Sequence, residues 1–294
     1  MREIHVSSIV DAVKKLCMEA NYSLEPDMLR AFAGALEKER SPAGRQVLQI
    51  LQQNAELART KKIPYCQDTG FVVCFLELGQ DVHVTGGGLP EAIDEGVRQG
   101  YKEGYLRASI VRSPFDRVNT GDNTPAVVHL DVVPGAALKI QIMAKGGGCE
   151  NRSKYKMLTP AEGVDGVKEW IVECIRTAGA DACPPLIAGV GVGGTFEQAA
   201  RLSKKALFRE LGRPTRTRRW PRWSARCSSA PTGSASGPRA MAATRPPSAS
   251  TSSPIRATSR ACRWRSRSSA TRTGTRRSCC EVDHFGAPHP GPLP

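Results

Sequence analysis

The run Cys66-Gln67-Asp68-Thr69-Gly70-Phe71-Val72-Val73-Cys74-Phe75-Leu76-Glu77-Leu78 decides how this chain is read. Its first five residues set a thiol, an amide, a carboxylate and a flexible glycine in one turn, a useful geometry for a metal and a polar substrate. The eight that follow are compact and almost wholly apolar, which predicts a strand. Upstream, Ile9, Val13, Leu16 and Cys17 share one face of a helix over 6–20, and Leu29, Phe32 and Leu36 one face over 27–38. Ser41-Pro42 opens a third helix with proline in its first turn, and that helix ends near Lys61-Lys62, ahead of Pro64.

Downstream, residues 89 to about 106 have helical character despite Gly96, Gly100 and Gly104. Two strands, 126–133 and 138–144, flank the Pro134-Gly135 turn signal. A helix over 160–178, a buried strand over 186–192 and a closing helix over 195–211 capped by Gly212 complete the pattern. Helices lead and strands follow without regular alternation. The expected class is α/β (α+β): N-terminal helices, then a small mixed sheet with flanking helices.

Past Gly212 the composition changes. Residues 213–294 hold sixteen arginines, no lysine and two acids, and their only Leu, Ile and Val are Leu293, Ile255 and Val282. The net charge of +14 therefore belongs wholly to this tail, and 26 basic and 26 acidic residues balance in the body before it. A nucleic-acid partner is thus not indicated for the body. Such a tail cannot bury enough apolar surface to order itself, so a disordered basic segment is expected. A more specific reading is a lost frame near Arg213–Thr215, since Arg, Ser, Ala, Pro and Trp are what GC-rich coding DNA yields out of frame. Gly237–Ser250, back-translated and read from each codon's third base, permits PQGYGGDTTALGVH. Thr258–Thr275 likewise permits HIASLPVALEIQCHAHRH. The domains are accordingly residues 1–212 and an out-of-frame tail, 213–294.

No run of 18 apolar residues exists, so no transmembrane helix is predicted. Arg2 and Glu3 lead into an amphipathic pattern without a signal-peptide core, and a cytoplasmic location is expected. Ten cysteines in that setting favour metal or catalytic roles over disulfides. The folded part lacks the Cys-x₂₋₄-Cys or paired-His spacing of structural zinc. Single cysteines on separate loops suit an iron–sulfur cluster instead. Cys17, Cys74 and Cys174 lie on helix faces or in a strand and read as core.

Three more segments carry polar chemistry. Asn119-Thr120-Gly121-Asp122-Asn123-Thr124 precedes a strand and is an Asx-rich turn on its own. In Lys145-Gly146-Gly147-Gly148-Cys149-Glu150-Asn151, three glycines let backbone amides approach an anion, though the ending of a nucleotide P-loop is missing. Cys183-Pro184-Pro185 sets a thiol at a rigid turn.

Taken in order, CQDTG, NTGDNTPAVVH, KGGG-x-EN, KMLTPAEG and CPP-x-I-x-GVG-x-GGT resemble the α-type domain of class I fumarases and the related tartrate dehydratases, over about residues 5–212. The resemblance implies a hydro-lyase for fumarate or, second, tartrate, with a [4Fe–4S] cluster held by three cysteines. Cys66 and Cys183 match the first two metal ligands. The third lies in a Gln-Cys-His-Ala motif, absent as written but permitted across the codons of Ser269 and Ala270. Cys149 stands where the family usually has serine; the anion loop is the better reading there than a substitute ligand. Gln67 and Asp68 match substrate-contacting positions, with Asp68 the catalytic candidate for proton transfer or for orienting water. Arg107 is a candidate carboxylate anchor, or simply an exposed helix-end arginine, and Gly146, Gly147 and Gly148 could hold the second carboxylate. A β subunit or domain, a small dicarboxylate substrate and an oligomeric assembly are implied, with no membrane and no nucleic acid. As written, the chain can also be read as an inactive truncated α domain lacking the third ligand.

Overall fold

The computed structural model describes residues 1–183, 186–211 and 263–265. The chain opens with strand β1 (Arg2–His5) and helix α1 (Val6–Tyr22), where the His5 side chain accepts a hydrogen bond from the Ser7 amide. Helices α2 (Pro26–Lys38) and α3 (Pro42–Lys61) each start with proline in the first turn; Ser41 caps α3 by accepting from Gly44 N, and Lys62 ends it in a left-handed conformation. Then come β2 (Phe71–Gly79), β3 (Val82–Thr85), α4 (Leu89–Glu103), β4 (Val127–Val133), β5 (Leu138–Lys145), the single-turn α5 (Gly147–Glu150), α6 (Gly163–Ala178), α7 (Phe196–Ala206) and β6 (Arg263–Arg265).

A mixed sheet of order β4-β2-β5-β6 forms the centre, and β1 and β3 pair apart from it as a parallel two-stranded sheet. β2 runs parallel to β4, with Val73 opposite Val127, and antiparallel to β5, with Phe71 opposite Lys145. The β4–β5 connection therefore crosses the end of β2 rather than closing an ordinary hairpin. Gln80 N donates to Val133 O and Asp81 N to Gly135 O, sealing that end. β2 is apolar from Phe71 to Leu76 because both its faces are covered there, and Glu77 near its end pairs with Lys139 of β5. Val72, Cys74 and Leu76 pack with Ile140 and Ile142 against α1 and α4; Val73, Phe75 and Met143 meet Phe208 on the other side.

The glycines that interrupt the α4 pattern are the crossing point with α1. A Cβ at Gly96 would lie 2.6 Å from Val13 Cβ, and one at Gly100 would lie 2.9 Å from Cys17 Cβ. Helix α7 docks on β4 through Asp131, whose carboxylate meets Arg201 Nη2 at 2.5 Å and Lys205 Nζ at 3.3 Å. Among the described residues β4 is an outer strand, and Val128, Leu130 and Val132 on it are exposed.

Three expectations are corrected. No strand forms over 186–192. Gly189 and Gly191 instead lie so close to α7 that a Cβ at either would fall 2.0–2.1 Å from a carbonyl oxygen of Ser203 or Ala199. Helix α7 ends at Ala206 rather than 211, because the chain turns there to bury Phe208 under the sheet. Residues 160–162 form a 3-10 turn, boxed by Thr159 and Glu162, before α6 begins. The Gly212 cap, and the tail apart from Arg263–Arg265 paired with β5, lie outside the described residues.

Candidate active site

The pairing pattern brings three of the polar segments to one end of the sheet. The Cys66–Gly70 loop enters β2 there, the 119–126 loop enters the parallel β4, and the antiparallel β5 exits into the Gly146–Gly148 turn. The contact is close. Gly70, at φ +68°, lies against Lys145 such that a Cβ would fall 2.5 Å from the Lys145 carbonyl, and one at Gly146 would fall 3.0 Å from Asp68 Oδ2 and 3.4 Å from Cys149 Sγ.

Within the first loop, Tyr65 is fixed through its own N–H to Asn21 O and its carbonyl from Asn54 Nδ2, each at 2.8 Å. Cys66 Sγ, half-buried, accepts from Asp68 N at 2.9 Å and donates to Gln67 Oε1 at 3.3 Å. Asp68 Oδ1 accepts from Gly70 N at 3.1 Å, which leaves Oδ2 toward the glycine turn. Thr69 Oγ1 donates to Arg107 O at 2.8 Å, so the backbone of Arg107 is tied one residue from Asp68. The side chains of Gln67 and Arg107 belong to exposed residues.

The glycine turn is the first turn of α5, where backbone amides lack partners within the helix. A Cβ at Gly147 or Gly148 would meet nothing within 4 Å among the described residues, so the side-chain positions of this turn are open. Beneath them, Lys145 is buried (3% exposed) and pairs with Glu150 Oε2 at 3.1 Å, and Lys204 of α7 contacts the same oxygen. Burial alone would raise the Glu150 carboxyl, but Lys204 and Lys145 outweigh it and hold it below the usual range. Lys204 responds oppositely: desolvation, aided by the nearby Lys145 charge, depresses its ammonium by more than its share of one carboxylate restores. Neither Lys204 nor its link to this turn carried any signal in the sequence.

The 119–126 loop contains the expected Asx turns. Asn119 Oδ1 accepts from Gly121 N at 2.7 Å and Asp122 Oδ1 from Thr124 N at 3.1 Å. Arg98 Nε reaches Asp122 Oδ2 at 3.1 Å, and Asp94 Oδ1 accepts from Ala126 N, fastening the loop to α4.

Cys183 follows the 3-10 turn Gly179–Ala182, which packs on α5, and Arg152 bridges to Asp181 at 2.9 Å. The thiol is exposed, at φ +56°. By contrast Cys17 and Cys74 are core residues; burial pushes Cys74 up to about 12 and Cys17 higher still. Cys174 is half-buried rather than core. Among the described residues, no three Cys, His, Asp or Glu side chains converge as a metal would require. The donor chemistry fits iron and sulfide at two loop thiols, Cys66 ahead of β2 and Cys183 after the turn that packs on α5. The third expected ligand falls outside the described residues, as do Pro184 and Pro185.

No helix among the described residues is long and apolar enough to cross a membrane. The fumarate hydratase (fumerase) family model matches residues 10–241. A Methanocaldococcus jannaschii protein named "Putative L(+)-tartrate dehydratase subunit alpha" is 36% identical over 210 residues, covering 69% of this chain and 73% of the relative. L(+)-tartrate dehydratase subunit alpha of Escherichia coli strain UTI89 is 31% identical over 211 residues (70% and 69%), and that of strain K12 is 30% identical over the same length and shares. With the motif loops gathered at one end of its sheet, these matches make the chain a member of the fumarate hydratase (fumerase) family, and so a hydro-lyase.

Proposed function

We propose that this chain is the α subunit of an iron–sulfur hydro-lyase that reversibly hydrates fumarate to malate in the cytoplasm, as part of an oligomer with a β subunit. The observation that carries this reading is the meeting of Asp68, Gly146 and the Arg107 backbone at the sheet end. Cys66 and Cys183 would hold a [4Fe–4S] cluster, which when bound supplies a Lewis acid toward a substrate carboxylate and the hydroxyl gained or lost. Arg107 binds one carboxylate of the substrate as a bidentate pair. The amides of Gly146–Gly148 bind the other, and Gln67 orients the substrate by hydrogen bonding. Asp68 handles the proton or orients the water, so that the double bond is exchanged for one C–OH and one C–H bond. Further substrate-binding groups come from the β subunit. L-tartrate is the second candidate, favoured by the names of the relatives.

The third ligand would come from a Gln-Cys-His-Ala segment restored by a one-base shift near Arg213–Thr215. Resequencing codons 205–285 tests this; an intact frame makes residues 213–294 a genuine tail and the chain an inactive α domain. With the frame restored, the α and β chains assembled anaerobically should bind iron, absorb in the visible and hydrate fumarate. Cys66→Ala should lose iron and turnover together. Iron content and turnover that survive Cys66→Ala overturn the assignment.

A further inference from the structure

Asn123 is fully buried (0% exposed) and at φ +59°. Its amide is used at both ends: Oδ1 accepts from Ser109 N at 2.7 Å and Nδ2 donates to Gly70 O at 3.1 Å. Tyr101 of α4 is also buried, and its hydroxyl donates to Thr69 O at 2.8 Å with Gly70 O at 3.1 Å. Thr69 in turn donates to the Arg107 carbonyl. These bonds end on backbone atoms of residues 69, 70, 107 and 109, which flank Asp68 on one segment and Arg107 on the other.

We propose that Asn123 and Tyr101 are positioning residues, a clamp that sets the Cys66–Gly70 loop against the Tyr105–Ser109 segment and so fixes the separation of Asp68 from the Arg107 carboxylate anchor. The inference deepens the hydro-lyase reading, on which the roles of Asp68 and Arg107 rest. Only an amide serves at 123. The site needs one acceptor and one donor on a fork, and aspartate would lack the donor while carrying a buried charge. Tyr101 has two separable parts. Its ring belongs to the core with Ile93 and Val97, while its hydroxyl alone reaches the loop. Burial raises the phenol well above its ordinary range, so the hydroxyl remains a donor at any working pH.

The test uses the full-length chain and two variants that spare the fold. Tyr101→Phe keeps the ring, and Asn123→Gly keeps the positive φ. Alkylation of individual thiols is followed by peptide mass mapping, with amide exchange at residues 68–70 and 109. Loss of one or two clamp bonds should raise the Cys66 alkylation rate about 3–10-fold and speed exchange at Gly70 and Ser109, leaving core Cys74 protected. In the assembled α/β enzyme, KM should rise more than kcat falls. Unchanged Cys66 reactivity and exchange in both folded variants overturns the clamp. So does an equal acceleration at Cys74, which would show general loosening. If the wild-type assembly hydrates neither fumarate nor tartrate, the functional reading falls, while the thiol and exchange measurements still decide the clamp.

Discussion

Gly70 and Lys145 touch backbone to backbone: the space where a Gly70 side chain would begin is taken by the Lys145 carbonyl, 2.5 Å away. Two loops 75 residues apart are locked by that contact at the strand pair Phe71–Lys145. Gly70→Ala should therefore cost about 2–4 kcal/mol, from the left-handed backbone together with the clash. Gly147→Ala, facing open space, should change stability by no more than about 0.5–1 kcal/mol. Denaturant midpoints of the two variants check the contrast.

Glu150 answers to two ammonium groups, one of them the buried Lys145. Glu150→Gln strands that charge and should destabilise by about 1–3 kcal/mol at neutral pH. Because the folded carboxyl lies below its unfolded value, its contribution is complete above the ordinary carboxylate range and lost as pH falls through the folded value. The gap between wild type and Glu150→Gln should thus shrink below about pH 4.3. Urea titrations from pH 7 to 3 measure it.

Thiol chemistry should sort the cysteines by burial. Exposed Cys183 should react with iodoacetamide in the native chain, while Cys17 and Cys74 wait for unfolding, since burial has raised both thiols far from their reactive form. Peptide mapping with and without denaturant distinguishes the two classes. Rapid native labelling of Cys74 would contradict the packing of β2.

The outer strand β4 carries Val128, Leu130 and Val132 on an exposed row, with Val132 at 62%. Such an edge templates self-association. Val132→Lys should lower light scattering at high concentration, with a stability change within about 0.5 kcal/mol.

Helix boundaries were legible to within one or two residues at Ser41-Pro42 and Lys62, whereas Pro160 opens a 3-10 turn ahead of α6 rather than the helix itself. Strand β2 was equally plain, because a strand covered on both faces is apolar along most of its length. The segment 186–192 misled because Leu186, Ile187, Val190 and Val192 give it the look of a strand, while Gly189 and Gly191 among them serve close packing on α7. Strands β1 and β3, four residues each and partly polar, show too little pattern to be seen. At the site, the residue types were readable but their meeting was not. Spacing along the chain does not tell which loops share a sheet end; that follows from β4 running parallel to β2 and β5 antiparallel to it. Asn123 looked like one more turn residue, and only its burial separates it from the exposed Asn119, whose amide is likewise engaged at both ends.

The crossing of the β4–β5 connection over the end of β2 also sets a schedule for synthesis. The central strand leaves the ribosome first and cannot be flanked on both sides until Lys145 has followed Gly79, 66 residues later. At bacterial-like elongation rates that is roughly 3–13 s during which nine mostly apolar residues have bare edges. Nascent chains of this length should be the ones a co-translational chaperone holds, and release should coincide with emergence of the glycine turn that follows β5.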